Sequence, residues 1–156
     1  MAVQGNFSAS GMSLPAASVL DAQVAASAAI GYSKLNRLRS RIYAQPNIAA
    51  VTETKVIEVY RSVGAGTIID FSAGVLAAAV GAATVTIDLK KNGTTILAGL
   101  LTIDNTLAIN TLKFNTPSSL TLAINDVLTL VITAAAGGGT LPTGLFINVR
   151  YSEAAI

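Results

Sequence analysis

Three aspartates of this 156-residue chain, Asp88, Asp104 and Asp126, are its candidates for the acid–base chemistry of a glycosidase. Two carboxylates on either side of a sugar bond can serve as the acid and the base of a glycosidase. Asp104 and Asp126, however, each adjoin an asparagine in an apparent turn, where Asx side chains cap the backbone. The chain has no His and no Cys, which removes the commonest general base, the commonest metal ligand and the thiolate nucleophile. The sequence therefore predicts no enzyme activity, no cofactor and no metal site.

A glycine-rich stretch, Gly64-Ala65-Gly66, is the candidate for phosphate binding. Phosphate binding of this kind needs a helix N-terminus directly after the glycines. Here the glycines lead into another predicted strand, so they indicate a turn.

The composition indicates a protein that buries its surface against partners. Hydrophobic residues make up 52% of the chain and charged residues 12%, whereas soluble domains carry about 25% charged residues. The best candidate for a spanning helix, residues 15–30, is alanine-rich and contains Asp21 and Gln23, so we expect no membrane span. The net charge of +2 is too small to favour nucleic acid. We therefore expect a homo-oligomer that binds neither membrane nor nucleic acid.

The first 50 residues differ from the rest, since they carry a net charge of +3 against −1 for residues 51–156. Residues 1–14 indicate a flexible arm. The spacing predicts a helix over 32–45, with an apolar stripe bordered by cations. Such a helix suits an acidic protein surface with an apolar groove, an anionic membrane surface, or simple packing on its own domain. The candidate docking residues are Lys34, Leu35, Arg37, Leu38, Arg39, Arg41 and Ile42.

From Val51 onward the hydrophobic period changes to two. Strands are predicted over 55–62, 67–72, 75–80, 84–91, 94–103, 107–115, 119–124, 127–134 and 145–152. Short strands separated by Gly, Asn and Pro turns indicate an antiparallel sandwich or barrel.

Two turns define the pairing of these strands. Asn92-Gly93 is a type I′ signal and predicts that Lys91 faces Thr94. The same register would pair Leu89 with Ile96, Ile87 with Ala98 and Val85 with Leu100. Asn125-Asp126 is predicted as a second tight turn.

The stretch VTIDLKKNGTTIL (85–97), followed by SLTLAINDVLTLVITAAAGGGTLPTGLFINVRYSE (119–153), resembles a β-sandwich module of tailed-bacteriophage structural proteins. In that pattern a strand ends in Lys-Asn-Gly-Thr, and a later strand begins at a Gly-Asp-x-Leu turn. Asn125 replaces the glycine of that turn. The resemblance covers roughly residues 54–153.

This resemblance implies a mainly β fold, a jelly-roll-like antiparallel β-sandwich over 51–156. The composition, charge and helical spacing of residues 1–50, which the resemblance does not cover, predict an N-terminal arm and short helical docking segment before the sandwich. The resemblance implies a capsid decoration, or cement, protein that binds and stabilises the phage head shell as a homotrimer. The implied partners are the major capsid protein and further copies of the chain. The implied location is the outer surface of the capsid, after synthesis in the host cytoplasm. The alternative is a receptor- or glycan-binding module of a head fibre or tail fibre.

Overall fold

The structure is a computed structural model that describes residues 36–45 and 54–154. These residues lie within one compact unit, Gly31–Ile156. They form ten strands and no helix: β1 (Asn36–Ala44), β2 (Thr54–Arg61), β3 (Gly66–Gly74), β4 (Thr84–Lys91), β5 (Thr94–Thr95), β6 (Leu101–Ile103), β7 (Lys113–Asn115), β8 (Thr121–Leu122), β9 (Val127–Ala135) and β10 (Phe146–Ala154). The predicted mainly β class is confirmed for this part of the chain. The predicted arm over 1–14 and the predicted boundary after residue 50 lie outside it.

Two antiparallel sheets make up the fold. The first has the order β1-β10-β3, and both β7 and β8 pair with the remaining edge of β3. The second has the order β2-β9-β4, and both β5 and β6 pair with the remaining edge of β4. On each sheet, therefore, two short strands in line take the place of one longer edge strand.

The inner faces of both sheets meet in one apolar core because their strands alternate with period two. Every second residue of β9 from Leu128 to Ala134 is buried, and so is every second residue of β10 from Ile147 to Glu153. The largest fully buried side chains come from both sheets: Tyr151, Phe71, Ile68, Ile87, Leu89, Leu101, Ile103, Leu128, Leu130, Leu145, Ile147 and Glu153.

Residues 36–44 form a strand, which corrects the helix predicted over 32–45. The helical stripe was not the only pattern in this segment, since residues 37, 39, 41 and 43 also carry long polar or aromatic side chains at period two. The edge of β10 offers β1 nine consecutive partners, from Ala154 opposite Asn36 to Phe146 opposite Ala44. The available sheet edge decides between two patterns that the sequence supports equally. β1 is therefore part of the sandwich.

The hairpin register holds at the turn and then shifts. Lys91 faces Thr94 as predicted, but Ile87 faces Leu101 and Val85 faces Ile103. The chain leaves the ladder between residues 96 and 100, which corrects the predicted pairs of Ile87 with Ala98 and Val85 with Leu100. The shifted register buries Leu101 and Ile103 in the core, where they contribute more apolar area than Ala98 would.

Several other predicted strands are shorter than expected. The stretch over 75–80 forms only isolated bridges, and those over 107–115 and 119–124 keep three and two strand residues. The segment between β5 and β6 contacts β7 and the segment after it, which joins the two sheets along one side. Leu97 forms a bridge with Pro117, and the Asn115 amide Nδ2 donates to the Gly99 carbonyl at 2.8 Å.

Candidate functional site

A groove lies on the opposite side of the sandwich, where β1 of the first sheet meets β2 of the second. Its volume is about 440 Å³. The residues that line it are Arg39, Arg41, Glu58, Val59, Tyr60, Arg61 and Val63. We call this surface the arginine groove. It combines three cations with one carboxylate, two valines and a tyrosine.

The register of β1 aims its arginines toward the second sheet. Arg39 lies opposite Tyr151 and Arg41 lies opposite Val149, and both partners belong to the buried inner face of β10. Residues directly opposite each other in an antiparallel pair share a face. The arginines therefore start on the inner face, and their length at a sheet edge lets them reach the groove.

Arg41 and Tyr60 form the contact between the two edges. The Arg41 guanidinium carbon lies 5.4 Å from the centre of the Tyr60 ring, a cation–π arrangement. The Tyr60 ring in turn packs against Tyr151, with ring centres 4.3 Å apart. Tyr60 belongs to the buried core, so the exposed Arg41 guanidinium lies over a ring whose position is fixed.

The other two arginines differ in their ionic contacts. Arg61 forms an exposed ion pair with Glu58 at 3.5 Å. Within the described residues, Arg39 Nε is buried without a hydrogen-bond partner. An unpaired buried donor is unfavourable, so the groove holds hydrogen-bonding capacity that the described part of the chain leaves unused.

Glu153 lies beneath this region as a buried carboxylate, with a side chain only 1% exposed. Its Oε1 accepts hydrogen bonds from the Tyr60 hydroxyl at 2.6 Å and the Ser62 hydroxyl at 2.9 Å. The backbone N–H groups of Val63 and Gly64 donate to the same oxygen at 3.0 and 3.3 Å. Glu153 thereby attaches the turn after β2 to strand β10.

Burial and these hydrogen bonds determine the ionisation of Glu153 and Tyr60. Burial by itself raises the pKa of Glu153, but the hydrogen bonds from Tyr60, Ser62 and the turn outweigh it and hold the pKa below its ordinary value. Burial, together with the bond to Glu153, raises the pKa of Tyr60. Glu153 is therefore an anion and Tyr60 a neutral donor at neutral pH.

Strand β1 also presents an outer face, opposite to the groove. Leu38 and Ile42 lie on it with 66% and 68% of their surface exposed. The register across the first sheet continues from Ile42 through Asn148 and Ser72 to Phe114, which is 61% exposed. Asn148 and Ser72 between them are polar, and Ser72 is only 1% exposed, so we give the name outer apolar face to Leu38 and Ile42 of β1 alone.

The structure divides the predicted docking residues between these two surfaces. Arg39 and Arg41 line the arginine groove, whereas Leu38 and Ile42 belong to the outer apolar face. Arg37 lies directly opposite Glu153 in the ladder. The predicted residues Lys34 and Leu35 lie outside the described part of the chain. The single stripe bordered by cations therefore does not form, because a strand sends alternate residues to opposite faces.

The two predicted turns meet each other, although 34 positions separate them. Asn92 and Gly93 have φ of 51° and 81°, and Asn125 has φ of 68°. The Asn92 amide donates to Asp126 at 2.7 Å, and the Val127 N–H donates to the Asn92 Oδ1 at 2.8 Å. The hairpin turn thus holds the turn before β9.

Each of the three candidate aspartates accepts a local hydrogen bond. The Thr95 hydroxyl donates to Asp88. The hydroxyl and N–H of Thr106 donate to Asp104 and lower its pKa. The Ala123 N–H donates to Asp126 and, with Asn92, lowers the pKa of that carboxyl.

Sequence reasoning missed Tyr60, Glu58, Arg61 and Glu153. A signal for Glu153 was present, because it occupies the inward position of a strand whose other inward residues are apolar. The groove itself left no such signal, since β1 and β2 belong to different sheets. Within residues 36–45 and 54–154, no set of three acidic residues is grouped as a metal site would require, and no helix has the length and apolarity to cross a membrane.

Comparison with known proteins gives weak similarities. No family model and no curated protein matches the chain. Dimeric latent PorU from Porphyromonas gingivalis aligns at 14% identity and a TM-score of 0.39, over 76% of this chain and 13% of that one. A structure of infectious bursal disease virus, Gt strain, aligns at 13% identity and a TM-score of 0.29, over 80% of this chain and 37% of that one. The chain spans well under half the length of either neighbour, and neither alignment carries an argument about its function.

Proposed function

We propose that this chain is a virion structural protein: a decoration protein that binds the outer surface of a tailed-phage head as a homotrimer. Its partners in this proposal are the major capsid protein and further copies of itself. The proposal begins from the resemblance of residues 54–153 to phage β-sandwich modules. The strand order and the surface of β1 add physical support.

The strand order supports a jelly roll. A jelly roll is one long antiparallel hairpin of eight strands, in which the first pairs with the eighth, the second with the seventh, and so on inward. If β5 with β6 and β7 with β8 are counted as two interrupted strands, the pairs here are β1 with β10, β2 with β9, β3 with β7–β8, and β4 with β5–β6. These four pairs follow the jelly-roll rule.

The surface of edge strand β1 is the main structural support for a docking function. It presents apolar side chains on one face and arginines on the other, and both faces are fixed by nine cross-strand pairs. Exposed apolar side chains on a rigid support favour burial against a partner. The arginines beside this sheet edge would also fix the orientation of the partner through its charges.

The proposal is tested by adding purified protein to phage heads that lack it. We expect saturable binding, and a cryo-EM map in which the protein occupies regular positions on the shell. Binding to tails alone would contradict the proposal and favour the fibre module. The absence of binding to any part of the particle would also contradict it.

A matched pair of variants locates the docking face. Ile42→Gln removes an apolar side chain that is 68% exposed on β1, and Val56→Gln removes one of equal exposure on the other sheet. We expect Ile42→Gln to weaken shell binding about tenfold, while Val56→Gln binds like the unmodified chain. Equal binding by both variants would place the docking surface elsewhere than the outer apolar face.

A further inference from the structure

We infer that the arginine groove binds an extended acidic segment of the shell protein, whose carboxylates pair with Arg39 and Arg41. The inference deepens the proposed function and rests on it for the identity of the partner.

The charges in the groove favour an anion as the occupant. Glu58 lies 3.5 Å from Arg61 and partly neutralises it. The Arg41 guanidinium lies over the Tyr60 ring, and within the described residues Arg39 Nε has no acceptor. Two cations in one groove therefore remain available for an incoming negative group.

The same protein shows how its arginines bind carboxylates. Arg150 Nε donates to the two oxygens of Asp70 at 3.0 and 2.8 Å, and the Arg150 Nη2 also contacts this carboxylate. Such a side-on pair uses the Nε edge of the guanidinium, the edge that lacks an acceptor in Arg39. A carboxylate that enters the groove can satisfy that edge once the Arg39 side chain turns toward it.

The other groove residues favour a protein segment over nucleic acid. Val59 and Val63 supply apolar contacts, which suit the side chains of a peptide rather than a phosphate backbone. Both β1 and β2 are end strands in the order of their sheets. An extended peptide can add to such an edge by backbone hydrogen bonds while its alternate side chains enter pockets. Alternating acidic and apolar residues therefore fit the groove.

The test uses the full chain and a fluorescein-labelled peptide of alternating Glu and Val. The groove variant is R39Q/R41Q, and the matched control is K90Q/K113Q, which removes the same charge from other strands. We expect the groove variant to lose at least about tenfold in peptide affinity and the control less than about twofold. A peptide with Gln in place of Glu should bind no better to the unmodified chain than to the groove variant.

Three results would overturn the inference. They are equal losses in both variants, equal binding of the Glu and Gln peptides, and tighter binding of single-stranded DNA of the same charge than of the Glu peptide. The assay of binding to phage heads separates this inference from the proposed function. A chain that binds the shell but not the Glu peptide contradicts the groove inference alone, whereas one that binds the Glu peptide through the groove but not the shell contradicts the proposed function alone.

Discussion

At the scale of single residues, Glu153 connects parts of the chain that are far apart in sequence. Its carboxylate accepts hydrogen bonds from the hydroxyl of Tyr60, 93 residues away, and from two N–H groups of the turn after β2. A buried carboxylate is stable in such a place only when donors replace the water it has lost. The stability of the region beneath the arginine groove therefore depends on one ionised group, the Glu153 carboxylate.

Replacing Glu153 with Gln tests this dependence. The charge-assisted bonds from Tyr60 and Ser62 weaken, so we expect the free energy of unfolding at pH 7 to fall by about 1–3 kcal/mol. Urea denaturation measures the change. Glu58→Gln is the control, since it removes an exposed carboxylate and should change the stability by less than about 1 kcal/mol. An equal effect of the two variants would contradict a special role for Glu153.

The same carboxylate should make the fold sensitive to acid. The pKa of Glu153 in the folded chain is lowered from the ordinary value of 4.5. Its ionised form therefore contributes stability above that value, and the contribution is lost as the pH falls through the folded pKa. We expect urea denaturation to show a steeper loss of stability below about pH 4.5 in the unmodified chain than in Glu153→Gln. Parallel pH profiles would show that Glu153 is not responsible.

At the scale of elements, the β4–β5 hairpin depends on the backbone at its turn. Gly93 has φ of 81°, and an added Cβ would meet no atom within 4 Å. The penalty for a side chain at this position is therefore backbone strain alone.

Gly93→Val isolates that strain. We expect the free energy of unfolding to fall by roughly 1–2 kcal/mol and the melting temperature to fall with it. The matched control is Gly99→Val, because Gly99 also has open space around it but no left-handed φ. If the two variants melt at the same temperature, the turn does not depend on glycine.

The pairing of β1 with β10 predicts how a truncation should affect stability. A chain that begins at Pro46 would lack β1 and expose the edge of β10, with its nine pairing positions. We expect it to be destabilised by more than about 2 kcal/mol, since it loses both ladder hydrogen bonds and apolar burial. A chain that begins at Gly31 retains β1 and should unfold like the full chain in urea. Equal stability of the two truncations would contradict the assignment of β1 to the sandwich.

At the scale of the whole molecule, the chain combines few charges with exposed apolar side chains on both sheets. Leu38 and Ile42 are exposed on the first sheet, and Val56 is exposed on the second. A molecule with this much exposed apolar surface can bind a shell and further copies of itself through different surfaces.

Light scattering of the purified chain tests self-association. We expect a mass near three times the 15.8 kDa of one chain, stable on dilution to micromolar concentration, because a trimer buries apolar surface between its copies. A monomer at that concentration would contradict the proposed homotrimer, and a dimer would contradict the threefold arrangement.

The local features of this protein can be predicted from short stretches of its sequence. Asn92 and Gly93 indicate a turn because few residue pairs tolerate two left-handed positions. The alternation of inward-facing and outward-facing residues in β9 and β10 indicates strands because one face of each strand is buried. Both signals depend on neighbouring residues, so they can be recognised without the rest of the fold.

The features that join distant segments depend on how the whole chain packs. Residues 36–44 carry both a helical and an alternating pattern, and the free edge of β10 makes them a strand. The shift between Ile96 and Leu101 depends on which register fills the core. Arg41 meets Tyr60, and Tyr60 meets Glu153, because two sheets pack face to face. Such contacts follow from long-range packing, which no spacing along the chain encodes.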